Sequence, residues 1–363
     1  MPPLDRLGGL RRVVVTTCVR GALLEEISAR LHVLDLSDGS VSFVTPVPES
    51  IWRAEDPNPR GGVRGAKGIS VHGDRLVLGN AEHLFVFDTS WRLVGRFSHN
   101  LLGGLHDILA EEEGIWVTCV RSDTVALIGW DGELVDWWSP RVDRRLKQLL
   151  DLGRTPGVDP KIDYRDPRAG EAALSSVDIN GVTRGAGGLV LSFGRVVRRR
   201  RRLWRHVARP ASFAVVELPT DRRPLRRARG RVRLHRRDHV VGAPNHNAVE
   251  DGGLLLYNDS NRNFLVVFDP AREVEVRAVS IPGDPPFARG LTKIDAGLWL
   301  VGSQQPAAVH AVDTDRGEVV ASFPLDAIPD ETVYAVAPLP EAFAEPPRLA
   351  TQDPRSFWAY GQA

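Results

Sequence analysis

Near its start the chain reads Val13-Val14-Val15-Thr16-Thr17-Cys18-Val19-Arg20, and further along it reads Ile115-Trp116-Val117-Thr118-Cys119-Val120-Arg121. The two runs match in β-branched character, in the threonine before the cysteine and in the closing arginine. The second copy follows a strand-like segment, Leu105-His106-Asp107-Ile108-Leu109, whereas only Met1 to Arg12 precede the first. Equivalent copies need equivalent neighbours, so the missing strand must arrive from elsewhere in the chain. The segment Glu331-Thr332-Val333-Tyr334-Ala335-Val336-Ala337-Pro338-Leu339 is the donor that the pattern offers. A β-propeller closes its ring in this way, building one blade from both chain ends and leaving no open sheet edge.

The repeat runs the length of the sequence. Each unit opens on a short apolar strand with one polar residue at its start. A tight turn, a strongly β-branched or aromatic strand and a hairpin strand follow. Unit two reads Lys67-Gly68-Ile69-Ser70-Val71, then Arg75-Leu76-Val77-Leu78-Gly79, then Leu84-Phe85-Val86-Phe87. Unit three starts at His106, unit five at His246 and unit six at Arg289. Unit four is the weakest, with Val177-Asp178-Ile179-Asn180-Gly181-Val182 and Gly188-Leu189-Val190-Leu191-Ser192-Phe193. Lys67 to His106, His246 to Arg289 and Arg289 to Tyr334 span 39, 43 and 45 residues, the length of a four-stranded blade. The expectation is all-β: a six-bladed β-propeller closed by the C-terminal strand joining the N-terminal blade. A β-sandwich is the alternative, but nothing in a sandwich calls for repeated polar strand starts.

Such a ring uses nearly all of the 363 residues, so one domain is expected. Its parts are an arm (1–12), the propeller (13–340), an inserted cap (141–172), an arginine-rich insertion in blade four (195–237) and a tail (341–363). No apolar run is long enough for a membrane span, and the first residues lack a secretory pattern. Cys18 and Cys119 occupy equivalent places and read as buried core residues, not as a disulfide or metal pair. A soluble cytoplasmic protein is the resulting expectation.

Aligning the unit starts brings Lys67, His106, Asn180, His246, Arg289 and Tyr334 to one end of the central channel. Together they form a donor-rich, net-positive funnel suited to a sulfate, phosphate or carboxylate group, with Arg289 able to grip it bidentately. His106, His246 and Arg289 are the candidate catalytic residues, since an imidazole there serves as acid, base or nucleophile. Lys67, Asn180, Asn247 and Tyr334 are the candidate ligand-binding residues. Strand alternation turns Asp107 and Asn247 away from the channel, as partners behind the histidines. Polar strand starts also line water-filled channels that do nothing. The spacing of His106 and His246 matches no compact metal motif, and neither a metal nor a cofactor is expected.

The insertions carry a second signal. Arg141 to Arg168 holds a short helical stretch, Arg144 to Leu150, and a polar run placed to cap the funnel. Residues 195–237 contain 17 arginines against Glu217 and Asp221, while the whole chain has a net charge of only +1. The run Arg198-Arg199-Arg200-Arg201-Arg202-Leu203-Trp204 suits an acidic protein partner or nucleic acid as well as a solvated loop. The tail brings Phe357, Trp358 and Tyr360, which either fold back onto a blade or stay free.

Laid out this way, the chain resembles a bacterial propeller family known mainly as a domain of unknown function. The residues that carry this are Leu105-His106-Asp107-Ile108, Gly114-Ile115-Trp116-Val117-Thr118, Asn180-Gly181, Arg289-Gly290-Leu291, Val301-Gly302-Ser303 and Asp330 to Pro340. A narrower resemblance, through His106 and His246-x-x-x-x-Asp251-Gly252, is to the bacterial arylsulfate sulfotransferases. Those are six-bladed enzymes in which a channel histidine carries the sulfuryl group, helped by further histidines and an arginine. That resemblance implies His246 or His106 as nucleophile and Arg289 as oxyanion clamp, although the extended signature of the family is absent.

The function expected is binding, and chemical transformation by a transferase or hydrolase, of a small anionic molecule in the funnel. The alternative is a non-catalytic scaffold that holds an acidic partner or nucleic acid on the arginine-rich face of blade four.

Overall fold

Leu254–Asp259 and Phe264–Asp269 are buried along almost their whole length, whereas Val274–Ser280 alternates exposed and half-buried residues. This contrast is what stacked sheets produce. The middle strands of a blade are covered on both faces by neighbouring blades and become continuous apolar runs, while the outermost strand keeps one face in water. The computed structural model describes residues 9–55, 65–152, 155–169, 175–197, 211–221, 223–237, 244–347 and 357–359. They form six four-stranded antiparallel sheets, and little else is regular beyond the helix Arg144–Leu149, capped by the Asp143 side chain.

Five blades take their strands in chain order from the axis outwards. Their inner strands are Ile69–His72, Leu105–Glu111, Ile179–Gly185, His246–Asp251 and Arg289–Asp295. The remaining inner strand, Glu331–Leu339, pairs with Arg12–Val19, followed outwards by Arg30–Asp35 and Val41–Pro46. Each inner strand contacts the next and the last contacts the first, so the ring is closed. In the closing pair Arg12 faces Leu339 and Thr16 faces Ala335; after a bulge, Thr17 faces Val333 and Val19 faces Glu331. Cys18 faces Thr332 and Cys119 faces Leu105, so the two echoed segments occupy equivalent second strands. Both cysteines are buried free thiols.

The residue after each polar strand start explains how adjacent blades meet. Gly68 runs so close to blade three that a β-carbon there would lie 2.5 Å from the Ile108 nitrogen. Gly290, at φ +71°, passes Ala335 with room for no more than a tight contact, in a backbone region that glycine occupies freely. After His106 and His246 the position is instead an acceptor. Asp107 takes the Val182 N–H of blade four at 3.1 Å and Asn247 takes the Gly290 N–H of blade six at 2.9 Å. Thr16 adds a bond from blade one to the Lys67 carbonyl at 2.7 Å.

Blade one carries its own polar fastening. The Glu331 carboxylate, at the start of the closing strand, is buried among the Arg30 guanidinium, the Thr17 hydroxyl and His32 Nε2, the last at 3.0 Å. The tail folds back over the seam between blades one and two. Phe357 stacks on Phe87 at 5.1 Å and meets Phe43 at 5.2 Å, and Trp358 stands edge-on to Phe85 and Phe87. Tyr360 lies outside the described residues. The cap segment anchors on the connection between blades two and three, where Tyr164 donates its backbone N–H to the Asn100 carbonyl and Arg165 reaches Ser98 and Asn100. Among the described residues no helix is long and apolar enough to cross a membrane.

Candidate functional site

The inner strands begin at one end of the channel, so residues far apart in sequence meet there. Arg289 Nη2 lies 2.9 Å from Nε2 and 3.2 Å from Nδ1 of His106. The His106 ring stacks on His246, with centroids 5.7 Å apart and planes inclined by 11°, and stands 5.3 Å from Tyr334 on its other flank. Arg289 Cζ sits 3.3 Å from the centre of the Tyr334 ring, and Lys67 Nζ lies 4.8 Å from it. Each such cation–aromatic contact contributes about 0.5–2 kcal/mol. Five of the seven residues that the sequence singles out therefore share one cluster: Lys67, His106, His246, Arg289 and Tyr334.

The other two, Asn180 and Asn247, spend their side chains in the seams between blades. Asn180 donates to the Asn245 carbonyl at 2.6 Å and accepts from the Ser192 hydroxyl at 2.8 Å. Asn247, at φ +51°, gives its oxygen to the Gly290 N–H. They hold in place the strand starts that carry His246 and Arg289.

The electrostatics favour neutral imidazoles beside a fixed cation. Burial pushes the His106 pKa well below the usual imidazole range, helped by Arg289, His246 and Lys67 and opposed by a hydrogen bond to the Asn180 backbone. His246 is driven the same way by burial, then by Arg289 and Arg20. A guanidinium can only donate, so the His106 nitrogen it approaches must accept, which requires the neutral ring. On the other histidine, the Ser260 hydroxyl donates to the Ala288 carbonyl at 2.7 Å. Its oxygen must therefore accept from His246 Nδ1–H, at 2.8 Å. This fixes the His246 tautomer and leaves a lone pair on Nε2.

Arg289 is 6% exposed and, among the described residues, makes no ion pair with any carboxylate. Tyr334 is 4% exposed, and its hydroxyl has no hydrogen-bond partner among the described residues. Burial raises its pKa, keeping the phenol a donor. A buried cation with no carboxylate in ion-pair contact and a buried donor without an acceptor are both costly. They point to the same complement: an anion with acceptor oxygens.

Four contributors escape a reading by unit starts. Arg20 stacks 3.9 Å from the centre of the Phe287 ring, and that ring stands edge-on to His246 at 5.5 Å. Asp178, at φ +51°, has its carboxyl pKa raised by burial against the pull of Arg195 and Arg289. Ser260 orients His246. Only Asp178 adjoins a strand start, one residue before its inner strand; the others come from strand ends and connections whose place in the ring no single-unit pattern specifies. Behind His106, burial lifts the Asp107 carboxyl to about 7, opposed by the Val182 and Ile108 N–H groups. Among the described residues no three histidine, cysteine or acidic side chains converge as a metal site.

The arginine-rich part of blade four is partly neutralised by its neighbours. Arg223 pairs with Glu113 at 2.7 Å and Asp136 at 3.4 Å on blade three. Arg233 pairs with Glu217 and, at 3.2 Å, with Glu250 of blade five; Arg236 pairs with Glu275. These arginines bridge blades. The run Arg198–Arg202 lies outside the described residues.

No family model and no curated protein matches the chain. Among solved structures, a protein of unknown function from Bacteroides caccae covers 92% of this chain and 100% of its own at 9% identity, with a TM-score of 0.55. A nidogen–laminin complex covers 89% of this chain and 97% of that chain at 10% identity, with a TM-score of 0.48. At such identity the first likeness speaks for the six-bladed fold alone, and 840 solved chains match the chain in structure. A scaffold reused that widely does not select a chemistry.

Proposed function

We propose that the funnel binds a small molecule bearing a sulfate, phosphate or carboxylate group, and that His106 or His246 transforms it by proton transfer or nucleophilic attack. The observation that carries this reading is Arg289, buried yet unmatched by any carboxylate among the described residues. Arg289 and Lys67 would neutralise the anion while Tyr334 donates to one of its oxygens. The neutral imidazoles supply a base or nucleophile at ordinary pH without needing to lose a proton first. The resemblance to arylsulfate sulfotransferases makes aryl sulfates the first esters to assay.

The test is thermal unfolding with sulfate, phosphate, carboxylates and aryl sulfates, on wild type and on Arg289→Ala. A ligand at a hundred times its dissociation constant stabilises by about 2.7 kcal/mol. Stabilisation of wild type alone supports the reading. A response that survives Arg289→Ala and fades steeply with salt moves the binding site to the arginine-rich insertion.

A further inference from the structure

Tyr334 and His246 offer the funnel groups of opposite kind. Tyr334 offers a hydrogen that no group among the described residues accepts; His246 Nε2 offers a lone pair, since its Nδ1–H is committed to Ser260. His246 is 1% exposed and the adjoining His106 ring stacks on it. An anion made only of acceptor oxygens would answer Arg289, Lys67 and Tyr334 and would set an oxygen lone pair against the Nε2 lone pair. An anion that still carries a hydroxyl answers all four.

Resting on the oxyanion reading above, the geometry points to a narrower ligand: a phosphate group, held as a protic anion that donates its P–OH to His246 Nε2 while Arg289 and Tyr334 take its other oxygens. Sulfate carries no proton at neutral pH, whereas inorganic phosphate always keeps at least one and phosphate monoesters, with a second pKa of about 6, keep one on a minority of their population. The discrimination therefore comes from one acceptor placed among donors. Leaving a buried acceptor facing another acceptor is the costly mismatch, and a mismatch of that kind separates ligands more sharply than an added contact does. Protonating His246 would remove the discrimination by turning Nε2 into a donor. Burial, Arg289 and Arg20 oppose that protonation.

Calorimetric titration of wild type at neutral pH with inorganic phosphate and with inorganic sulfate decides the matter. Phosphate is expected to bind at least tenfold more tightly. His246→Phe is expected to erase that ratio by weakening phosphate alone, and His246→Gln, which can present an acceptor oxygen, to keep much of it. The wild-type ratio needs no variant, so it decides even if a substitution at this buried site fails to fold. Sulfate binding as tightly as phosphate overturns the phosphate assignment and leaves the funnel an oxyanion site. Binding of neither anion, or of both undiminished in Arg289→Ala, overturns the oxyanion reading and this inference with it. Phenyl phosphate and inorganic phosphate titrated in parallel at pH 6, where the ester keeps its proton on about half of its population, separate the two sources of the group: tighter binding of the ester indicates an ester, binding weaker than that half accounts for indicates the free anion.

Discussion

Asn247 reaches across the seam between blades five and six to accept the Gly290 N–H at 2.9 Å, and this bond ties the residue after His246 to the residue after Arg289. Two strand starts that are 43 residues apart in sequence are thereby held to one spacing. Asp107 makes the corresponding bond to Val182 between blades three and four. The seams are therefore what set the funnel's geometry, and the residues behind the candidate site matter as much as those facing it.

Asn247→Ala leaves the Gly290 N–H buried and unpaired. The expected loss is about 1–3 kcal/mol in urea unfolding, together with a weaker response to anions. Asn247→Asp keeps an acceptor oxygen and is expected to recover most of both. Equal loss in the two variants would mean that the bond contributes nothing specific.

Arg289→Met removes an uncompensated buried charge while keeping the stem that lies on Tyr334. Without added anion its melting temperature is expected to rise by about 2 °C or more, because the desolvation of an unpaired ion is no longer opposed only by ring contacts. The anion-dependent shift disappears in the same protein. A fall in melting temperature on adding this substitution would show that Arg289 is already balanced without ligand.

Glu331 gives the fold an acid limit. Hydrogen bonds from His32, Arg30 and Thr17 outweigh burial and hold its carboxyl at about 2, against 4.5 for the free group. The unfolded chain thus binds this proton first as pH falls. The stabilisation is complete above about 4.5 and is lost as pH drops towards 2; the difference corresponds to about 3 kcal/mol. His32, whose pKa burial lowers, acts with the same sign: its contribution is present above 6.5 and declines below it. Glu331→Gln is expected to lower stability at neutral pH and to flatten the decline below pH 4.5, read by chemical denaturation across that range.

Phe357 is buried against Phe43 and Phe87 although it belongs to the tail. Phe357→Ala is expected to destabilise the whole propeller by about 3 kcal/mol, seen as one cooperative transition shifted to lower denaturant. A separate early transition would instead show that the tail opens on its own and leaves the blades unaffected.

The echo between Val13–Arg20 and Ile115–Arg121 made the closure legible, because equivalent second strands must have equivalent partners. The polar strand starts were legible for the same reason: one position, repeated, occupies one place in a ring. Asn180 and Asn247 show where that logic stops. A unit-by-unit alignment puts a residue at a level of the channel but does not say whether its side chain turns to the axis or to the next blade. Ser260, Phe287 and Arg20 reach His246 from other strand ends and connections, so no periodicity marks them. The arginines of blade four carry a charge signal in sequence, yet Arg223, Arg233 and Arg236 meet acids supplied by blades three, four and five, which composition alone does not place beside them.

Because Glu331–Leu339 completes the sheet that Arg12–Val19 begins, the first blade to leave the ribosome is the last to be finished. Until Glu331–Leu339 has been made, the Arg12–Val19 strand has one edge unpaired, and the nascent chain must keep it from pairing with other chains. A stop codon before Glu331 would therefore do more than delete one strand: it would leave an open edge on the blade that Arg12–Val19 begins. Slow translation of the codons between Val19 and Glu331 would lengthen that exposure, so yield should fall when translation is slowed there.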